Sequence, residues 1–316
     1  MAEDVKDITI MAVHAHPDDE VVFTGGTLLL YRRRGVKTVL VTATGGEEGE
    51  IHDPDLDPDA ARPNLRDIRL GELNRGIELL EIDHLELLGY RDSGMAGTEA
   101  NAHPDNFHNA DLEEVTRKLV MLVRRYRPQI MITYDENGAY GHPDHIKCNL
   151  ATQAAFERAG DPEYAPELGE PWTPLKLYYT HWNDEGWKEA RAIFEERGIK
   201  WPFDEDEQAT DTDPEHESTE EAVAEHVQDV ETATAGEEKP PAYIPPPTTT
   251  RINVKDFAAQ KMASAKMHRT QFDPTGLFMT IPEDVVPVVF GEEHYSLVKS
   301  RVPTPDQEND MLEGLT

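Results

Sequence analysis

Basic residues are scarce in this chain. Only 30 Lys and Arg stand against 63 Asp and Glu in 316 residues, a formal net charge of −33. So acidic a surface repels a phosphate backbone instead of displacing its counterions, and no basic stripe reverses the sign locally; nucleic acid is therefore excluded as an expected partner. Anionic membrane surfaces are disfavoured for the same reason. Long apolar runs are also missing. The longest, such as Ile8 to Val13, are strand-sized, whereas a bilayer span needs roughly 18 or more apolar residues, so no membrane span is expected. Met1 to Lys6 lead straight into a strand-like run, without the apolar stretch and small-residue cleavage site of a secretory signal. The single cysteine, Cys148, excludes an intramolecular disulfide. Together these absences make a cytoplasmic location the expectation. Gly25-Gly26 lacks both the G-x-G-x-x-G and the GxxxxGK[ST] spacing, so it gives nucleotide binding no support. Oligomeric state is left open.

What is present is an alternation of strand-like and helix-like segments. Ile8–His14 is a near-continuous apolar run ending in polar residues, the pattern of a strand buried on both faces of a parallel sheet. A helix from about Val21 to Arg34 follows, closed by Gly35. Val36–Thr42 predicts a second strand and Leu65–Leu80 a second helix. Leu85–Leu88, a helix near Asp111–Arg125, and Gln129–Tyr134 continue the series, then a helix at Ile146–Ala159 and a strand at Leu175–Thr180. The expected fold is α/β: a Rossmann-like, mostly parallel sheet with helices on both faces. Two long loops, Gly45–Asn64 and Gly89–Ala110, follow strands, where an open parallel sheet places its ligand crevice.

Residues 1–203 and 250–303 are expected to form one domain. Between them, 204–249 begins with 15 Asp or Glu and no Lys or Arg in Asp204–Glu238 and ends in a proline cluster. Too few large apolar residues are present there to offset the cost of ordering, so a solvated surface insertion is expected. Beyond it come a short strand near Thr250, a helix Val254–Gln271 with Lys261, Lys266, His268 and Arg269 on a solvated face, a strand His294–Val298, and a C-terminal tail from 304 to 316.

Chemistry concentrates in two places. The first strand ends in His14-Ala15-His16-Pro17-Asp18-Asp19-Glu20, and Tyr140-Gly141-His142-Pro143-Asp144-His145 follows the strand Gln129–Tyr134. A single His-Pro-Asp is a common turn, because Pro presets the backbone and Asp caps the next helix. Two of them at strand ends, one with a doubled acid and one with a second histidine, converge on one sheet edge and predict a metal site. His14 is the weaker ligand candidate, since it still lies in the strand period, where a hydrogen-bonded core residue is the alternative reading.

His16-Pro17-Asp18-Asp19-Glu20 with Gly141-His142-Pro143-Asp144-His145 resembles the zinc-dependent N-deacetylases of the PIG-L/LmbE family. Arg69-Leu70-Gly71-Glu72-Leu73, Tyr90 to Thr98, Thr133-Tyr134-Asp135 and Glu293-His294-Tyr295 resemble its branch that deacetylates the glucosaminyl-inositol precursor of mycothiol. Asp135-Glu136-Asn137-Gly138, His145-Ile146 and Cys148 are similar to the mycothiol S-conjugate amidases. The resemblance covers roughly 1–200 and 250–300. It implies a hydrolase that removes acetyl from a small-molecule N-acetylglucosaminide, with amide cleavage in a thiol conjugate as the alternative. A sugar-binding module whose metal only holds its ligand is the reading from another class.

The roles then implied are specific. His16, Asp19 and His145 hold Zn²⁺ as two imidazoles and a carboxylate, a set that also suits Fe²⁺. Asp18 is the general base, and Tyr140 stabilises the oxyanion. His142 protonates the departing amine, with Asp144 accepting from its other ring nitrogen. Arg69 and Asp92 are the candidates for sugar or inositol hydroxyls, although Arg69 at i, i+3 from Glu72 is equally a helix-surface pair. Glu47 and Glu48 in the first long loop are further candidates to face the sugar.

Overall fold

The computed structural model describes residues 5–199, 201 and 243–315. The acidic stretch expected as an insertion falls outside the described residues up to 242. Seven strands form one sheet: β1 (Thr9–His14), β2 (Lys37–Thr44), β3 (His84–Tyr90), β4 (Ile130–Thr133), β5 (Lys176–His181), β6 (Thr250–Asn253) and β7 (Glu292–Ser300). Their spatial order is β3-β2-β1-β4-β5-β7-β6. The pairs among β1 to β5 are parallel, while β7 runs antiparallel to both β5 and β6. β1 therefore sits at the switch point, with β2 and β3 on one side and β4 on the other. In such a sheet the crevice opens beyond the C-terminal ends of the two strands flanking the switch, and these ends lead into the two His-Pro-Asp clusters.

Burial explains why β1 carries no polar alternation: all six residues are buried. Met11 and Val13 face one apolar layer, with the helices Leu112–Tyr126 and Pro143–Arg158. Ile10 and Ala12 face the other, with Leu28 and Tyr31 of the helix Gly25–Arg33 and Leu73 of the helix Leu65–Leu79. A third apolar cluster joins the helices Asp184–Glu196 and Ala258–Ala265 beside the sheet. No described helix is long and apolar enough to cross a membrane.

Several boundaries differ from the sequence expectation for physical reasons. The first helix divides at Thr24 into Asp19–Phe23 and Gly25–Arg33. The Thr24 hydroxyl bonds His14 Nε2 at 2.8 Å, and the restarted helix gives its Gly26 and Thr27 N–H groups to the Glu293 carboxylate. His14 is thus a buried, hydrogen-bonded core residue, the alternative that its strand position offers. The helix expected over Val254–Gln271 spans only Ala258–Ala265. Its supposed solvated face is a correction too: Lys261 is buried against Glu293 and His268 against Glu20, while only Lys266 and Arg269 are exposed. Those buried pairings fix the chain after Ala265 in a turn. The helix Asp184–Glu196 has no counterpart in the sequence reading; Asn183 caps it by accepting from Gly186 N–H. The last residues fold back onto the sheet, with Met311 and Leu312 in the core and Glu308 buried against Lys176.

Candidate metal and active site

The two His-Pro-Asp turns meet at the switch point. His16 Nδ1 lies 3.4 Å from Asp19 Oδ2, His145 Nε2 lies 3.4 Å from Asp19 Oδ1, and the two ring nitrogens are 3.3 Å apart. A tetrahedral ion about 2.0–2.1 Å from its ligands holds them about 3.3–3.4 Å from one another. The remaining valences of the three residues are committed elsewhere. His16 Nε2 faces Asp144 Oδ2 at 3.3 Å, and His145 Nδ1 faces the Gly138 carbonyl at 3.2 Å. A ring N–H on each of those atoms leaves the lone pairs of His16 Nδ1 and His145 Nε2 directed into the cluster. Asp19 Oδ2 accepts from Tyr134 Oη and His16 N–H, both at 2.7 Å, which leaves Oδ1 free. The donor set fits a divalent ion.

Electrostatics point the same way. Burial by itself would lower the His16 pKa, yet Asp92, Asp144 and Asp19 together raise it well above the ordinary value. That is a surplus of negative charge which favours a cation at this spot. Two groups have single donor atoms that all fall within 4.8 Å of one another: His16, His142 and His145, and His16, Asp92 and Asp144. The first group is limited by His142, whose Nδ1 accepts the Asp144 N–H at 3.1 Å as the cap of the following helix. The second group surrounds the far nitrogen of His16, which serves as a donor.

The pairing expected between the Asp144 carboxylate and His142 does not form. Asp144 instead faces His16 and accepts from Ser93 N–H at 3.0 Å and from the Ser93 hydroxyl. The reason is topological: the helix starting at Pro143 turns the Asp144 side chain back toward the β3 loop while its backbone N–H serves His142. Burial, with His16 and His145 adding to it, pushes the His142 pKa down to about 3.

Asp18 is partly exposed and held at both ends. Its Oδ2 accepts from Arg69 Nη2 at 3.1 Å, and its backbone N–H donates to Glu20 Oε2 at 2.9 Å. Burial, opposed by Arg69 and reinforced by Asp19, pushes its carboxyl up to about 7. Its φ of 125° lies where residues bearing a Cβ rarely sit. Arg69 is buried and makes no pair with Glu72; its guanidinium also donates to the Gly46 and Pro17 carbonyls, each at 2.7 Å. A Cβ at Gly46, where φ is +69°, would collide with that guanidinium. Asp92, buried 3.5 Å from His16 Nε2, accepts from Gly94 N–H and Glu48 N–H. Glu47 and Glu48 are spent on Arg66 and Arg91, and Glu47 also accepts from Asp92 N–H.

Tyr140 stands edge-on to His145, with ring centroids 5.1 Å apart, and 6.0 Å from His142. Left-handed Gly138, Ala139 and Gly141 shape the loop that carries it, and burial keeps its hydroxyl protonated by raising its pKa. Sequence reasoning missed the Glu20–His268 pair and held Ser93 only within the Tyr90 to Thr98 resemblance, with no role. It noted Tyr134 only within a resemblance, although its ring stacks on His145 at 3.9 Å while its hydroxyl braces Asp19. No local pattern marks these three, because their partners are 51 to 248 residues away.

Both the sequence and the fold have known counterparts. The family model described as GlcNAc-PI de-N-acetylase, PIG-L, matches residues 11–156. The 1D-myo-inositol 2-acetamido-2-deoxy-alpha-D-glucopyranoside deacetylase of Geodermatophilus obscurus is 35% identical over 313 residues, covering 97% of each chain. Among solved structures, N,N'-diacetylchitobiose deacetylase from Pyrococcus horikoshii superposes with a TM-score of 0.57 at 16% identity, over 94% of this chain and 85% of the other. A 4-carboxy-2-hydroxymuconate hydratase from Pseudomonas putida does so with 0.55 at 15%, over 94% and 99%. The structural likenesses establish the α/β fold, and their differing reactions leave the chemistry to the site residues.

Proposed function

This chain belongs to the PIG-L family of de-N-acetylases, and from that premise we propose that it hydrolyses the acetamide of a small N-acetylglucosaminide, N-acetylglucosaminyl-inositol being the preferred substrate. The observation that carries the reading is the meeting of His16, Asp19 and His145, whose two inward ring nitrogens are 3.3 Å apart and each lie 3.4 Å from one oxygen of the Asp19 carboxylate. These residues would hold Zn²⁺, or Fe²⁺ in its place. When bound, the ion supplies Lewis acidity that lowers the pKa of a water and polarises the acetamide carbonyl.

The chain's own residues do the rest. Asp18, with a carboxyl pushed up to about 7 and anchored by Arg69, takes the proton from the attacking water. A base with its pKa near the working pH both accepts that proton and releases it. Tyr140 donates its hydroxyl hydrogen to the oxygen that gains charge. His142 is neutral at rest, with Nδ1 occupied as a helix cap, so its proton sits on Nε2. Negative charge developing beside it raises its proton affinity, so it takes up the proton that Asp18 drew from the water, and passing a proton to the departing amine returns it to the neutral form. Asp144 orients His16 and Asp92 braces it, while Arg69 sets the position of Asp18; sugar hydroxyls would meet the two loops these residues stiffen.

Acetate release from a panel of N-acetylated glucosaminides, with and without a chelator, tests the proposal. N-acetylglucosaminyl-inositol should be turned over, chelation should abolish turnover, and added Zn²⁺ should restore it. Absence of acetate release across the panel in protein carrying one metal per chain would overturn it. A faster rate on a mycothiol-type thiol conjugate would move the preference to the amidase reading.

A further inference from the structure

Four consecutive residues from late in the chain each grip a different part of the catalytic edge. His268 Nε2 lies 2.8 Å from Glu20 Oε1. Arg269 Nη2 donates to Asp53 and Asp55, in the loop after β2, at 2.8 and 2.6 Å. Thr270 gives its N–H and hydroxyl to Glu72, three residues beyond Arg69 on its helix, and its carbonyl accepts from His52 N–H. Gln271 donates to the Glu50 carbonyl at 3.0 Å. Only the first of these lines ends on the general base, because the second oxygen of Glu20 accepts the Asp18 N–H.

That bond has a specific task. Asp18 holds φ 125° and ψ −29°, a strained combination for a residue with a Cβ, and such strain persists only where surrounding contacts over-determine it. Arg69 fixes the carboxylate end of Asp18, while the peptide N–H has Glu20 alone as its acceptor among the described residues. Glu20 is fully buried, and a carboxylate so placed keeps one orientation only while both oxygens are hydrogen-bonded. His268, also fully buried, supplies the second of these bonds.

We propose that His268, acting through Glu20, is a positioning residue for the base Asp18; this rests on the role given to Asp18 above. His268 touches no reacting atom. Its removal releases the Glu20 carboxylate, lets the Asp18 peptide relax, and misplaces the base without disturbing the ligand trio, which Tyr134 and Asp144 brace independently.

The test compares His268→Leu, His268→Gln and Arg269→Ala in the full-length, metal-loaded protein. Leu offers Glu20 no donor, whereas Gln offers an amide N–H at similar reach. His268→Leu should lower kcat by about 10- to 100-fold, the scale of a small misplacement of a catalytic group. KM and metal stoichiometry should stay at the wild-type level. His268→Gln should recover most of the loss, and Arg269→Ala, which loosens the same segment at another point, should leave kcat within about threefold of wild type. Should the Leu variant fail to fold, Asn, polar but too short to reach Glu20, replaces it. A wild-type kcat in the Leu or Asn variant, no recovery with Gln, or an equal loss in Arg269→Ala overturns the proposal. Crystal structures of wild type and variant give a readout that needs no substrate. Asp18 should leave its positive φ in the Leu variant and keep it in the Gln variant, and an unmoved Asp18 overturns the positioning role even if the deacetylase reading itself has failed.

Discussion

His16 Nε2 lies 3.3 Å from Asp144 Oδ2, on the side of the ring facing away from Asp19 and His145. A carboxylate behind a ligating imidazole fixes its tautomer and raises its basicity, and removing such a partner typically costs about 10–100-fold in metal affinity. Asp144→Asn should therefore weaken zinc binding by that factor, measured by competition with a chromogenic chelator. Ser93→Ala, which removes one of the two bonds holding Asp144, should produce a smaller loss in the same direction. Unchanged affinity in Asp144→Asn would remove Asp144 from the support of the metal site.

Asp18 and Asp19 are neighbours in sequence that face different partners, and the proposed mechanism gives them different duties. Asp19 is braced by Tyr134 and points at the two histidines, whereas Asp18 is turned toward Arg69 and remains partly exposed. Asp18→Asn keeps the size and the tolerance of a left-handed backbone but cannot take a proton. Turnover should fall by about 10²- to 10⁴-fold, the usual worth of a positioned acid or base, with metal content unchanged. Asp19→Asn should instead lose metal first. Equal metal loss in the two variants would contradict the division.

The parallel sheet was legible because its strands are buried on both faces and so lose their polar alternation, as β1 does at all six positions. The ligand candidates were legible because each sits in a short motif placed at the end of such a strand. What escaped was decided by distant packing. Nothing near Lys261 or His268 reveals that Glu293 and Glu20 will be waiting for them 32 and 248 residues away, and a basic helix face was the natural reading. The break at Thr24 escaped likewise, since an acceptor from β7 caps the restarted helix. Asp144 was assigned to the wrong histidine because adjacency in sequence to His142 outweighed a contact with His16 that only the meeting of the two turns creates.

The His268–Glu20 pair gives stability a pH dependence with a definite sign. Burial lowers the His268 pKa, but Glu20 and, at longer range, Asp18 more than reverse this against the opposing Arg69, so the folded value lies above the ordinary 6.5. A raised folded pKa means that the contribution is complete below the unfolded pKa and is lost as pH rises through the folded one. Urea unfolding of wild type and His268→Gln across a series from about pH 5.5 to about pH 9 should show the wild-type advantage greatest at the acid end and shrinking toward the alkaline end. A constant difference across the series would mean that His268 holds Glu20 as a neutral donor.

Lys176 and Glu308 make the most deeply buried ion pair tying the end of the chain to the sheet, with neither side chain exposed. Lys176 also donates to the Met311 carbonyl at 3.0 Å, while Tyr178 and Thr250 donate to the other oxygen of Glu308. Removing one partner of a buried pair leaves the other charge uncompensated, at a cost of about 3–5 kcal/mol. Lys176→Met should lose stability on that scale in urea unfolding, and Glu308→Leu should lose a similar amount by stranding the ammonium. Replacing both with apolar side chains removes the two charges together, so the double variant should be more stable than the sum of the single losses predicts. Strict additivity would show that the pair does not act as a unit.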